Sequence, residues 1–316
     1  MTRPVVVLAD VNVDLTVPLP DRSLPKEQRT VHPPSLGGGG TGGNTAAALA
    51  RLGVPVEFCG SIGDDSFGRW IVEDFRALGV GIRGLVTLPD VYTAQVLALI
   101  EPDGDRYLVI WPDAGGAHTF LNPDHLDRDL ITSASWIHTT GICLRPAPLN
   151  AAVLAGFERA RAAGVPTSLD LNLRIELWGL SDEVRRTVEA AVALSDVVFG
   201  SGTEELMPLT GTDSVEAAVR ALSAGTRTVV ARLGADGVLA CTPDGTLIRA
   251  PGFPVTAVNP IGAGDAFNGG FIAAMVEGKG LAEALRWGNA VGALKIARPG
   301  GARDLPDRSE IEALLN

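Results

Sequence analysis

The chain has 316 residues, 46% hydrophobic and 20% charged, with a formal net charge of −11. That length and balance predict a single α/β domain over 1–316 with ample core, and the acidic surplus argues against nucleic acid as the main partner, so an anionic substrate needs a locally positive pocket. Cys59, Cys143 and Cys241 lie far apart with no CxxC, the four histidines are scattered, and no stretch is long enough to span a membrane; this pattern predicts buried thiols in a reducing, cytoplasmic setting and no metal cluster.

Taken in chain order, short β-branched runs alternate with helical patterns. Val5–Ala9 reads as a first buried strand, and the apolar run that holds it is too short for a signal peptide. Val17–Leu36 is proline-rich. GGGGTGGN, Gly37–Asn44, contains overlapping G-x-G-x-x-G matches, but TVHPPSL precedes it where a dinucleotide fingerprint needs a strand. It is better read as a loop that lets the backbone approach a polyol, with a helix from Asn44 to Leu52. Asn44 suits either a helix cap or a sugar-hydroxyl ligand.

Further strands are expected at Val56–Cys59, Ala134–His138, Pro166–Asp170, Asp196–Phe199 and Thr228–Ala231. Helices are expected at Ser66–Leu78, Leu149–Ala163, Asp182–Leu194 and Ser214–Ser223, then at Asp265–Glu277, Leu281–Ala297 and Arg308–Leu315. This order predicts a doubly wound, mostly parallel sheet with helices on both faces and ligands at the carboxyl ends of the strands. Two hairpins break the rhythm. Ala94–Ile100 and Arg106–Trp111 flank EPDGD, and Val238–Thr242 and Thr246–Ala250 flank PDG. The first hairpin, with the proline-rich segment, predicts a small β lid over the cleft, built from about 15–36 and 91–115.

The most informative stretch is VNPIGAGDAFNGGF, Val258–Phe271. Gly262, Ala263 and Gly264 form a turn at a helix start, where converging N–H groups and the helix dipole favour an anion. Asp265 in the first turn is awkward beside an anion unless it takes a proton from an attacking hydroxyl; the plainer alternative is that it only caps the helix.

Together these pieces resemble the ribokinase-like (PfkB) family of sugar kinases, nearly end to end. Asn12 and Asp14 look like the early sugar-binding segment. GGGGTGGN resembles the first glycine signature, with Thr41 where lysine is frequent, and CGSIGDDSFG, Cys59–Gly68, resembles the family's G-x-(V/I)-G-x-D-x-(F/Y)-G. DLNLRIELW, Asp170–Trp178, is similar to the D-x-N-x-R…W stretch of fructokinases and 2-keto-3-deoxygluconate kinases. RLGADG, Arg232–Gly237, resembles the nucleotide-side loop, GAGDAF the second signature, and WGNAVGALKIARPGGA, Trp287–Ala302, the helix bordering adenine.

The resemblance implies transfer of the ATP γ-phosphoryl to a sugar hydroxyl with Mg²⁺. Asp265 would be the base and Gly262–Gly264 the anion hole. Asn12, Asp14, Gly39, Gly40, Thr41, Asn44 and Arg174 would bind sugar; Arg232, Gly234, Gly237 and Asn289 would serve the nucleotide; and Glu205 would organise Mg²⁺ through water. The implied sugar is a fructose-like ketohexose or a 2-keto-3-deoxy sugar acid. A nucleoside, pentose or sugar-phosphate kinase is the rival within the family, and a non-catalytic sugar-binding regulator the rival outside it. Family lids often pair between subunits, which implies a homodimer through the lid. Two positions depart from the pattern: Gly202 stands where the N-x-x-E motif has asparagine, and Asn259-Pro260 replaces an Asp-Thr whose acid often helps bind a monovalent cation, which puts K⁺ activation in question.

Overall fold

A computed structural model describes residues 3–103, 105–113 and 115–316. Gly104 of the EPDGD turn, Ala114 of the lid segment and the first two residues of the 1–316 domain fall outside the described residues.

Val5–Leu8 forms β1, and its four residues are 0% exposed because helices cover both faces of the sheet. The chain leaves this sheet at once for β2 (Asn12–Pro18) and β3 (Ser35–Gly39), returns through α1 (Thr41–Arg51) to β4 (Val56–Gly63), α2 (Ser66–Leu78) and β5 (Gly81–Leu88), and leaves again for β6 (Gln95–Ile100) and β7 (Arg106–Trp111). After the short α3 (Arg128–Thr132), β8 (Trp136–Thr140), α4 (Leu149–Ala162), β9 (Thr167–Asp170), α5 (Ile175–Trp178), α6 (Asp182–Ala193) and β10 (Val197–Ser201) follow. Then come α7 (Met207–Thr210), α8 (Val215–Ser223), β11 (Thr228–Arg232), β12 (Val238–Cys241), β13 (Leu247–Ala250), α9 (Ala263–Val276), α10 (Leu281–Ile296) and α11 (Arg308–Leu315).

The large sheet has nine strands in the order β13-β12-β11-β10-β9-β8-β1-β4-β5, parallel from β11 to β5 and antiparallel at β12 and β13. β1 lies between β8 and β4, where chain direction along the sheet reverses; in doubly wound folds the crevice for ligands opens at the carboxyl ends of such strands. The second sheet, β3-β2-β6-β7, is the lid. It begins at Asn12 and runs to Gly39, earlier and further than the expected 15–36, because β2 pairs with β3 from Asn12↔Gly39 to Thr16↔Ser35.

That pairing corrects the glycine run. Gly37–Gly39 is strand, not loop, and α1 starts at Thr41 rather than Asn44. β5 also went unread, since GIRGLVTL carries two glycines and an arginine that weaken the strand signal.

Local side-chain caps explain five of the eleven helix starts, those of α2, α3, α6, α8 and α11. Asp65 accepts from Gly68 N at 2.8 Å, Ser181 from Val184 N at 3.3 Å, and Asp307 shares a capping box with Glu310. Helix α1 is different, because its N-cap is Gly40, at φ 85°, with no side chain to offer. The acceptor comes from the end of β1. Asp10 Oδ2 accepts from Thr41 N at 2.9 Å and Asp10 Oδ1 from Gly42 N at 3.1 Å, while the Thr41 hydroxyl donates to Oδ1 at 2.8 Å. Thr140, at the end of β8, lies 2.9 Å from the Thr41 hydroxyl. One buried carboxylate thus ties the two switch-point strands to the start of α1.

Asp10→Ala removes the acceptor of two buried helix amides and two hydroxyls. It should lower unfolding free energy by at least about 2 kcal/mol, and Asp10→Asn should recover part of the loss; urea denaturation of both variants checks this.

Candidate active site

Two sets of candidate residues meet at the entry to helix α1. At its start, Gly39 packs against β2 so tightly that a Cβ there would lie 2.4 Å from Asp14 Oδ1 and 2.6 Å from Asn12 Nδ2. Asn12 and Asp14, two apart on a strand, share a face, and Asn12 Nδ2 donates to Asp14 Oδ1 at 2.6 Å. Burial pushes the Asp14 carboxyl up, against the Asn12 bond and the nearby charge of Arg303.

One helical turn later, Asn44 reaches α9. Its Nδ2 donates to Asp265 Oδ2 at 2.8 Å, across 221 residues of sequence, and both side chains are buried. Asn44 Oδ1, also buried, has no partner among the described residues. Asp265 stands in the first turn of α9, beside the Gly262–Gly264 turn. Gly262 is at φ 80° with Ala302 pressed against it, a conformation and a fit that favour glycine. Burial pushes the Asp265 carboxyl up to about 7; the Asn44 bond opposes this, and the charges of Asp170 and Asp10 add to it. A carboxyl at that value is partly ionised near neutrality and strong enough as a base to take a hydroxyl proton.

A second buried cluster lies behind the turn. Arg232, at the end of β11, forms a bidentate pair with Asp170, at the end of β9: Nη2–Oδ1 is 2.6 Å and Nη1–Oδ2 is 3.0 Å. Asn268 of α9 bridges them, accepting from Arg232 at 3.1 Å and donating to Asp170 at 2.7 Å. Burial opposes ionisation of Asp170, but the Arg232 charge and hydrogen bonds hold it below the usual range. A Cβ on Gly264 would lie 3.3 Å from the guanidinium, so Arg232 backs the turn from beneath.

The other expected site residues make contacts within the fold. Arg232, expected to serve nucleotide phosphate, pairs with Asp170. Glu205, expected to organise Mg²⁺, accepts from Leu173 N and Ser201 N, both at 2.7 Å, and braces the β10 end; burial raises its carboxyl, helped by Asp170. The Thr41 hydroxyl is spent on Asp10 and Thr140. Asn289 donates to Ala250 O at 3.0 Å and Pro251 O at 2.9 Å, fixing α10 to the end of β13. Gly234 (φ 61°) and Gly237 (φ 86°) shape the Arg232–Gly237 turn, and a Cβ on Gly237 would lie 2.2 Å from Ala250 O. Arg174, at φ 48°, is half exposed with Glu176 at 4.0 Å.

Three functional residues escaped the sequence reading. Asp10 sits at the end of the first strand, where the fold itself calls for a ligand or brace, and that position was the available signal. Arg303 pairs with Asp74, donates to Gly39 O at 3.1 Å and stacks on Phe75 at 5.3 Å, so it clamps the lid base from the far end of the chain. Arg145 donates to the carbonyls of Leu173 and Gly179 and stacks on Trp178 at 5.3 Å, holding the Arg174 loop. Neither arginine lies in a recognisable motif.

The pfkB family carbohydrate kinase model matches residues 2–308. The chain belongs to this family. Among its relatives, a probable fructokinase-4 of Arabidopsis thaliana is 33% identical over 88% of this chain and 87% of its own length. The aminoimidazole riboside kinase of Salmonella typhimurium is 32% identical over 88% of each chain. A protein of E. coli assigned as ribokinase II, solved with ATP and Mg²⁺, superposes with a TM-score of 0.86 at 25% identity, covering 99% of both chains. A fructokinase double mutant of Vibrio cholerae, solved with fructose, ADP and potassium, gives a TM-score of 0.81 at 28% identity over 99% of both. This kinase is a phosphotransferase acting on a sugar hydroxyl.

Among the described residues no cluster of three His, Cys, Asp or Glu side chains could hold a metal ion, and no helix is long and apolar enough to cross a membrane.

Two predictions follow from the charge pattern. Arg232→Ala leaves Asp170 buried without its partner and should cost about 3–5 kcal/mol of stability, read by urea denaturation. For Asp265, the native state holds a proton between the ordinary carboxyl value of 3.8 and about 7 that the unfolded chain has lost. That stabilisation is complete below 3.8 and is lost as pH rises through about 7. Asp265→Asn should therefore melt above the wild type near pH 8, with the gap closing in acid.

Proposed function

We propose that this kinase phosphorylates a fructose-like ketohexose and that Asp265 is its general base. The observation that carries the mechanism is the buried Asp265 carboxyl, raised to about 7 and oriented by Asn44 at 2.8 Å, at the mouth of the helix α9 anion turn. A sugar hydroxyl beside Asp265 gives its proton to the carboxylate, and the oxygen attacks the γ-phosphorus of ATP as the bond to the β-phosphate oxygen breaks. The Gly262–Gly264 turn and the α9 dipole face the charge on the transferring group. Bound Mg²⁺ neutralises phosphate charge. Asn44 Oδ1, a buried acceptor without a partner, suits a second sugar hydroxyl, and Asp14, Asn12 and the Gly39–Gly40 backbone form the wall that receives the rest of the sugar.

The ketohexose rests on the fructokinase relatives and on the position of Arg174. With Glu176 beside it and half its surface in water, Arg174 gives no built site for a sugar carboxylate, which disfavours the keto-deoxy acid. The aminoimidazole riboside kinase at 32% identity makes a nucleoside the second reading.

We also propose that the lid pairs with a second copy. Tyr107, Leu108, Val109, Ile110 and Trp111 are all exposed along β7, an edge strand, so both its faces are open to water. Such an edge invites cover.

A coupled ADP-release screen over ketoses, aldoses, sugar acids and nucleosides tests the substrate; a nucleoside turned over faster than fructose would overturn the ketohexose. Asp265→Asn should lower kcat at least about 100-fold with little change in ATP affinity. The wild-type rate should rise with pH through about 7, as the base ionises. Activity within threefold of wild type in Asp265→Asn would remove it from the mechanism.

A further inference from the structure

Arg303 lies in the loop between α10 and α11, and its side chain is 9% exposed. A guanidinium so buried is costly unless it is paired. Its Nη1 pairs with Asp74 of α2, its Nη2 donates to Gly39 O at 3.1 Å, and the group stacks on Phe75 at 5.3 Å. Asp74 and Phe75 account for the burial. The bond to Gly39 does something else: it joins the far end of the chain to the strand beside Asn12 and Asp14.

The glycines next to Arg303 are the room it occupies. A Cβ on Gly38 would collide with the guanidinium, and one on Gly43 would lie 2.6 Å from Nη2. Gly38 and Gly39 are consecutive in β3, so they face opposite sides of the lid sheet. The guanidinium lies on the Gly38 side. Asn12 and Asp14 lie on the Gly39 side, where a Cβ would meet both. A strand without side chains thus separates the cation from two candidate sugar ligands.

Burial and Asp10, at the end of β1, raise the proton affinity of Asp14, while the Asn12 bond and Arg303 lower it. Arg303 in turn faces Asp74 and Asp14. Within this group Arg303 is the cation. A protonated carboxyl gives up part of its acceptor capacity, so an Asp14 drawn to neutrality would hold sugar hydroxyls less well.

We propose that Arg303 positions the sugar: through the Gly39 carbonyl it fixes the wall that carries Asn12 and Asp14, and it sets a positive charge behind the carboxylate that receives sugar hydroxyls. The inference rests on Asp14 being a sugar ligand. Arg303 touches no reacting atom, so it is a positioning residue, and its effect belongs to sugar binding rather than to phosphoryl transfer.

The test compares wild type with Arg303→Met, Arg303→Lys, Asp14→Asn, and the paired variant Arg303→Met with Asp74→Asn, which strands no buried acid. The substrate is whichever compound the ADP-release screen turns over fastest, fructose being the expected one. The readouts are sugar KM and kcat from weakly acid to weakly alkaline pH, calorimetric affinity for Mg²⁺ with a non-hydrolysable ATP analogue, and melting temperature. Arg303→Met should raise sugar KM about tenfold, the scale of a lost charged contact, with kcat held within about threefold. Protonation of Asp14 weakens sugar binding, so loss of the cation should move the acid-side rise of KM to higher pH. Arg303→Lys keeps the charge without the fork; it should raise KM by a smaller factor and leave the acid-side rise in place. Nucleotide affinity should stay within about twofold throughout. A merely structural arginine would lower melting temperature and both affinities together, with no pH shift. In a folded Arg303→Met, an unmoved acid-side rise or an unchanged sugar KM overturns the proposal. If that variant does not fold, the paired variant is read by the same two outcomes. If neither folds, an unchanged KM in Arg303→Lys overturns the proposal and a raised one supports it. Unchanged sugar KM in Asp14→Asn would instead remove Asp14 as a sugar ligand, whereas a raised KM there beside wild-type behaviour of Arg303→Met sinks this inference alone.

Discussion

The carboxylate of Asp10 carries the geometry of the site. It leaves β1, the strand at the sheet's switch point, and takes the first two amides of α1 together with the Thr41 hydroxyl. A helix that opens on GGGGTGG has no local side chain to satisfy its orphan amides, so without this long-range acceptor its start would fray. With the start fixed, Asn44 stands one turn on, where its amide meets Asp265 of α9. Two helices separated by more than two hundred residues are thus aligned to hydrogen-bond precision through one buried acid.

Charge balance then decides how that alignment is used. Asp170, Glu205, Asp10 and Asp265 are all buried near the carboxyl ends of the strands. Arg232 neutralises the first pair from below the turn, and its guanidinium is shared between Asp170 and Asn268. Among the described residues Asp265 receives no direct cationic partner, only an amide. Burial therefore pushes its carboxyl up to about 7, while the arginine holds Asp170 low. Two aspartates in one cluster are driven apart by which of them holds the arginine, the same logic by which enzymes assign a base among neighbouring acids.

The base of the lid is held to this frame at Gly39. Gly39 lies against Asn12 and Asp14 without room for a Cβ, and Arg303, anchored by Asp74 and Phe75, holds the Gly39 carbonyl. The outer strand β7 exposes aromatic and aliphatic residues on both faces. The lid is thus held at its base and open at its edge, an arrangement suited to a flap that closes over a ligand.

The sequence by itself determined the alternating strand and helix order, the two hairpins, the anion turn with its aspartate and the membership these imply, because all rest on local signals: periodicity, glycine turns and caps. Eight of the nine strands of the large sheet are legible, six as buried apolar runs and β12 and β13 as a hairpin around PDG, but β5, and the glycine strand β3 of the lid, are not, since glycines hide a strand whose stability comes from its neighbours. What the tertiary structure alone decided is which polar residues face the site and which hold it together. Arg232, Glu205, Thr41 and Asn289 sit in the right motifs, yet each spends its polar atoms on a buried partner contributed by another element. Asp10, Arg145 and Arg303 sit in no motif that spacing reveals. Their roles come from charge, burial and long-range pairing, which depend on distances through space that the order of residues does not contain.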